Sequence, residues 1–317
     1  MLRMSVVARH MANEAQLTPQ PEGGSNSKST NTTTMSFNHS ISAIDFCIVK
    51  EVHMRKKVLI LFAILAMLAV TVIPATAITW GEPDTEHTNV GAMMMVLPGW
   101  GNTPVCSGTL IHPRIFLTAG HCTDGVDAGE VWVNFNQDGT DLKGILEVAQ
   151  VITHPDYWWG PTSNPHDVGV LILAKKVKNR IEPAKLPEAG FLDKLLEEGK
   201  LQQGSDGAKF TMVGYGASLE WPPSHTYYED QRQSSVSEYQ ALLKSWLRLS
   251  QNQATNDGGT CSGDSGGPAF WTEPDGTEIL VGITSWGDVN CIATGFNYRV
   301  DIPETLDFID DVISSLD

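Results

Sequence analysis

From Ile78 onward, short runs of β-branched, aromatic and other apolar residues alternate with clusters of Gly, Pro, Asn and Asp. The runs cover residues 91–97, 108–117, 129–135, 144–153 and 167–173, then 209–215, 268–271, 278–286 and 295–300. Runs of this length separated by turn formers predict an all-β barrel or sandwich. Val168-Gly169-Val170-Leu171-Ile172-Leu173 is apolar throughout, which predicts a strand buried on both faces. Three stretches break the strand pattern. Between Ala189 and Gly204, Leu192, Leu195 and Leu196 stand among acids and lysines and predict a short surface helix. Ala241 to Leu249 predicts a second helix, with Trp246 and Leu247 packed inward. Asp301 and Pro303 announce a final helix whose Leu306, Ile309, Val312 and Ile313 form an apolar stripe. There is no internal repeat and no sign of a second functional domain.

The residues before Ile78 follow other rules. Met54-Arg55-Lys56-Lys57 is a basic stretch followed by the apolar run Val58 to Val70, and Ala75-Thr76-Ala77 has the small-x-small form that signal peptidase cuts. Residues 54–77 are therefore expected to be a secretory signal, and 78–317 the working, secreted domain. Residues 1–53, rich in Ser, Thr and Asn around Ser25 to Thr34, show no sustained periodicity. They are expected to be a disordered or non-native extension from an upstream start codon. The competing reading is a signal anchor, because Val58 to Ala77 is about long enough to span a bilayer. Pro74 and the Ala-Thr-Ala ending favour cleavage, so membrane attachment is expected only if this segment is uncut.

Charge narrows the partners. The chain carries a net charge of −16, and the part before Ile78 is basic, so the remainder is more acidic still. That excludes nucleic acid and anionic membrane surfaces as partners and suits a soluble exported protein. Of the five cysteines, Cys47 falls in the segment expected to be missing, leaving an even four. An even count after an export signal points to disulfides. No C-x-x-C or histidine spacing accompanies the four, and no acid cluster suggests a calcium site, so neither metal nor cofactor is expected.

Two motifs carry the chemistry. Cys261 to Pro268 reads C-S-G-D-S-G-G-P, and Leu117 to Cys122 reads L-T-A-G-H-C. A serine hydroxyl is a poor nucleophile unless a histidine takes its proton and a carboxylate holds that histidine in the right tautomer. Ser265 sits in a glycine-rich turn in which the N–H groups of Gly263 and Ser265 can converge on an oxyanion. Together these stretches resemble the chymotrypsin/trypsin family of serine peptidases, in a secreted bacterial-type member. The resemblance covers nearly all of Ile78 to Asp317 and is weakest in the loops between Ser218 and Asn256. It implies two six-stranded antiparallel β-barrels with the active site between them and a C-terminal helix. His121 and Asp167 would come from the first barrel and Ser265 from the second. Asp167 heads the apolar strand, as the family aspartate does, whereas Asp156 lies in a turn and Asp124 and Asp127 follow His121 too closely. His166 lacks the alanine-glycine turn and the adjacent bridging cysteine, and reads as a strand-edge residue.

The resemblance also implies two disulfides, Cys106–Cys122 and Cys261–Cys291, each contributing on the order of 3 kcal/mol. It puts Gly259 and Thr260 at the floor of the primary substrate pocket and Gly287 and Gly295 in its walls. An uncharged, open slot of this kind implies cleavage after apolar or aromatic residues of protein or peptide substrates, with Asp288 near the rim as a rival attractor of basic groups. Ser285 matches the position that hydrogen-bonds the buried aspartate, and Trp286 the wall along which the substrate backbone lies. Ile78-Thr79-Trp80-Gly81 is similar to the family's freed amino terminus, whose ammonium would insert beside Asp264. The activity implied is that of a serine endopeptidase. The alternative is a non-catalytic secreted binding protein on the same fold. An α/β-hydrolase esterase is disfavoured, because it runs Ser-Asp-His around G-x-S-x-G.

Overall fold

A computed structural model describes residues 78–316, apart from 161, 178–180, 221–224 and 229. The expected signal segment and the extension before it, with Cys47, lie outside the described residues. After a two-residue strand, β1 (Glu82–Pro83), six strands form a closed antiparallel barrel. They are β2 (Val90–Leu97), β3 (Gly101–His112), β4 (Ile115–Thr118), β5 (Val131–Asn134), β6 (Leu146–Thr153) and β7 (Gly169–Leu173), in the order β2-β3-β4-β7-β6-β5. Closure comes from β2 pairing with β5, Met93 facing Val133, which leaves no free edge in this half. Every residue of β4 and β7 is buried, as an apolar run without alternation requires. Residues 108–117 do not form one strand as expected. Pro113 has no N–H to donate to a ladder, and the chain turns at Pro113-Arg114 to pair β3 with β4.

The second barrel begins with β8 (Lys209–Gly214), followed by a hairpin of β9 (Ala217–Glu220) and β10 (His225–Tyr228). It continues through β11 (Gln233–Leu242), β12 (Trp246–Ser250), β13 (Pro268–Thr272), β14 (Glu278–Gly287) and β15 (Thr294–Arg299). Its order is β11-β12-β15-β14-β13-β8, closed by β8 pairing with β11, and β1 makes a two-residue pairing with β11. The architecture is thus two closed six-stranded antiparallel barrels, as expected. The helix expected over 241–249 is corrected to the hairpin joining β11 to β12. Leu242 pairs with Leu247, and β12 pairs along its whole length with β15. Leu247 and Leu249 are buried while Trp246 and Arg248 are half-buried. That is the two-residue period of a strand, which a helix could not satisfy.

Helices are few. Phe191–Glu197 forms the expected short helix, with Leu192 and Leu195 buried. The C-terminal helix, Pro303–Ser314, starts with Pro at its first turn and buries Phe308, Ile309 and Val312. Its Phe308 tilts against His154, ring centroids 5.0 Å apart.

The segment from Ile78 to Val90 is held to the second barrel by polar groups. Thr79 exchanges both backbone hydrogen bonds with Gly259 (2.9 and 3.0 Å). His87 stacks on Phe270 and reaches Asp84 through Nδ1 (2.5 Å) and Glu278 through Nε2 (3.1 Å). Asp84 also lies 4.0 Å from the buried Arg232, whose Nη1 donates to the carbonyls of Val90 and Phe135 and to the Tyr215 hydroxyl. Burial alone would pull the His87 imidazole down, but the two carboxylates outweigh it and push its pKa up to about 9. A raised folded pKa gives stability that is fully present below the unfolded value of 6.5 and is lost as pH rises through 9. Thermal melts across that window should show the midpoint falling, and His87→Gln should flatten the fall. An unchanged slope in that variant would remove His87 as the anchor.

Candidate active site

The short helix Gly120–Thr123, which carries His121, leaves directly from the end of β4. Gly120 has to be glycine: a Cβ there would lie 2.8 Å from the Tyr157 ring, 3.1 Å from the Val168 nitrogen and 3.2 Å from Asp167 Oδ1. Its bareness lets Asp167, fully buried two residues ahead of β7, come under the imidazole. The His121 backbone N–H donates to Asp167 Oδ1 (2.8 Å), and ring Nδ1 lies 3.0 Å from Oδ2. Ser285 Oγ donates to the same Oδ2. Burial by itself would raise the Asp167 carboxyl, but the His121 charge and these hydrogen bonds win and hold it below the usual range. An ionised carboxylate only accepts, so Nδ1 carries the ring proton and Nε2 is left as the free base. For His121 the sign is opposite: burial lowers its pKa, the Asp167 charge raises it, and the net shift is upward.

The serine turn is fixed from three sides. The Ser107 N–H donates to the Ser265 carbonyl (2.8 Å), and Ser107 Oγ donates to that of Gly263 (3.1 Å). Cys122 Sγ, next to His121 in the chain, lies 3.6 Å from the Ser265 carbonyl oxygen. The disulfides Cys106–Cys122 and Cys261–Cys291 are both formed. Gly263 and Gly266 hold φ of 96° and 84°, which L side chains rarely adopt. Cys261, Asp264, Gly266 and Gly267 all donate their N–H groups within the protein. Among the described residues, those of Gly263 and Ser265 donate to nothing. No hydrogen bond links Ser265 Oγ to His121 among the described residues; such bonds often form only with substrate in place.

Asp264 is fully buried and accepts from the N–H groups of Gly216 and Cys261, both at 2.8 Å. No cation faces it among the described residues, and burial pushes its carboxyl up to about 7. Ile78 is also fully buried, but no hydrogen bond joins it to Asp264 while its nitrogen is part of an intact peptide bond. Its φ is 47°, a strained value for a β-branched residue.

At the pocket, Gly287 and Gly295 pair with each other on β14 and β15. Trp286 is 45% exposed and stacks on Phe296 at 3.8 Å, so it offers a face to a passing peptide. Asp288 is engaged in its own loop: its carboxylate accepts from the N–H groups of Ile292, Ala293 and Thr294. His166 has a left-handed φ of 51° and stacks on His154, ring centroids 4.6 Å apart, away from any role as base. Cys106, His121 and Cys122 stand close together, but two of the three sulfur and nitrogen donors are spent in a disulfide, a poor donor set for a metal.

Three residues near the site escaped the sequence reading. Ser107 joins the serine turn to the Tyr215 N–H (3.0 Å). Trp159, 57% exposed, tilts toward the His121 ring with centroids 5.6 Å apart; its only trace in the sequence is a pair of tryptophans in a Gly/Pro loop. Gln251 packs against Gly259, expected at the pocket floor, where an added Cβ would fall 2.2 Å from its Cγ. Nothing local distinguishes that glutamine from a surface one.

Fold and site together define a two-barrel protein of the serine peptidase class. The family model described as Trypsin matches residues 78–309, and the chain belongs to the trypsin family. A protein of Anopheles gambiae described as an inactive CLIP domain-containing serine protease is 29% identical over 202 residues, 61% of this chain and 51% of its own. Trypsin of Phaedon cochleariae is 32% identical over 203 residues, 57% of this chain and 68% of that one. Serine protease 56 of Mus musculus is 29% identical over 198 residues, 59% of this chain and 31% of its own. The chain therefore spans about half or less of two of these relatives. All three come from eukaryotes, so the bacterial type expected from the sequence finds no support.

Proposed function

We propose that residues 78–317 act as a secreted serine endopeptidase, released by cleavage after a signal at 54–77. Ser265 Oγ attacks the scissile carbonyl carbon while His121 Nε2 takes its proton. The oxyanion is held by the N–H groups of Gly263 and Ser265. The proton then passes to the leaving amine, and water, deprotonated by the same nitrogen, releases the acyl group. The observation that carries this reading is the buried Asp167, which receives three hydrogen bonds from His121 and Ser285 and leaves only Nε2 free. Two formed disulfides support an oxidising, extracellular location. An uncharged floor, with Asp288 engaged in its own loop, supports cleavage after uncharged rather than basic side chains.

A non-catalytic secreted binding protein is the second reading, favoured by the relative described as inactive and by the unmade Ser265–His121 bond. Labelling with a fluorophosphonate separates the two. Stoichiometric modification of Ser265 is expected, and it should vanish in His121→Ala. No labelling of the secreted chain would leave the binding reading standing.

A further inference from the structure

The pocket floor is more than a bare glycine. Gln251 leaves β12 just after Ser250, is 2% exposed, and is held by its backbone N–H donating to Ala293 (3.1 Å). Its amide lies where the three pocket glycines meet. A Cβ on Gly295 would be 3.1 Å from Gln251 Nε2 and 3.6 Å from Thr260 Oγ1, and one on Gly287 would be 3.6 Å from Gln251 Oε1. The orientation of the amide follows from its partners. Thr260's carbonyl oxygen, 2.7 Å away, can only accept, so the NH2 must face it, with Thr260 Oγ1 accepting as well at 3.2 Å. Oε1 is then turned toward Gly287, fully buried and without a partner among the described residues. The Thr260 hydroxyl accepts from Nε2 but donates its own proton to no acceptor among the described residues. An orphaned acceptor and an unspent donor thus stand together at the base of the pocket.

We propose that this pair reads a carboxamide, and that the chain cleaves after Gln and Asn. The inference rests on the peptidase reading above. A substrate NH2 would donate to Gln251 Oε1 and its carbonyl would accept from the Thr260 hydroxyl, completing both groups. The competing side chains fail for stated reasons. Lys or Arg would bury a cation with no carboxylate turned toward it. Glu or Asp would set an acceptor against Oε1. Met or Leu would leave Oε1 buried and unpaired. A phenol offers a single oxygen for both roles, whereas a carboxamide offers two separate atoms, one to donate and one to accept. This narrows the apolar preference that glycine walls imply, because the walls set the width of the slot and Gln251 sets its chemistry.

The test uses the purified secreted protein and peptides differing only before the cut, Gln against its near-isostere Met, Asn against Leu, and Glu as a control. In the wild type, kcat/KM for Gln should exceed that for Met by at least about tenfold, since a site built to hydrogen-bond a group rejects analogues lacking it. Gln251→Met should reverse the order. The wild-type comparison stands even if that variant fails to fold. Met or Leu cleaved as well as Gln or Asn, or a Gln preference surviving in Gln251→Met, would overturn the proposal. Absence of both cleavage and fluorophosphonate labelling would remove only the peptidase reading. Binding of the Gln and Met peptides, followed by NMR titration, then decides the pocket: tighter Gln supports it, and equal or tighter Met overturns it.

Discussion

Ser265→Ala or His121→Ala should each lower kcat by on the order of 10⁵ to 10⁶, and the double variant should be little worse. The two groups act as a unit: without the base the hydroxyl keeps its proton, and without the hydroxyl the base has nothing to activate. Asp167→Asn should cost about 10⁴, because an amide can donate to Nδ1 and place the ring proton on Nε2, the wrong nitrogen. The pH profile distinguishes this from a merely structural role. The reaction needs neutral His121, whose pKa is held above 6.5 chiefly by the Asp167 charge working against burial. Activity should therefore rise with pH along an acid limb centred above 6.5, and in Asp167→Asn that limb should move to lower pH. Single-turnover kinetics with a chromogenic peptide would measure both. More than a few per cent of wild-type activity in Ser265→Ala would sink the assignment.

Release of the amino terminus at Ile78 should produce the second large effect. In the uncut chain Asp264 is buried with two N–H donors and no cation among the described residues, and its carboxyl is raised from 3.8 to about 7. Unfolded, the same group ionises above 3.8, so the folded chain binds the extra proton between roughly pH 4 and 7. Stability of the uncut form must then fall as pH rises through that window, by roughly 4 kcal/mol at most. Cutting the bond between Ala77 and Ile78 supplies an ammonium that can hold the carboxylate ionised, which removes the penalty. It also abolishes the strained φ at Ile78, worth on the order of 1–3 kcal/mol. Urea midpoints at successive pH values should therefore diverge between the uncut form and the form starting at Ile78. Because Asp264 precedes Ser265 and shapes the oxyanion turn, one extra residue ahead of Ile78 should cost at least about 10²-fold in kcat. Amino-terminal sequencing of the secreted active protein that reads anything other than Ile78, or full activity in the extended form, would refute this mechanism.

Much of the candidate site is visible in short motifs because its backbone demands are local. The turn around Ser265 needs glycines where φ is positive, and Gly263 and Gly266 stand there. The histidine needs a glycine beside it so that an acid can approach, and Gly120 stands there. Such requirements act over a few residues and leave a recognisable string. The hairpin of β11 and β12 has no such string. Ala241 to Leu249 can serve either a helical or a strand period, and only the partner β15, about fifty residues later, makes the strand the better home for its backbone groups.

By itself, then, the sequence determined the strand-rich class, the motifs that carry Ser265, His121 and Asp167, and the even set of four cysteines after Ile78. Each of these depends on residue identity and near-neighbour spacing. Tertiary structure alone decided which groups share a space. It turned Asp288 into its own loop, put the Asp84–His87–Glu278 cluster between the entering segment and the second barrel, and laid Gln251 against Gly259, Gly287 and Gly295. Those outcomes depend on barrel closure, which brings together side chains that no local pattern relates.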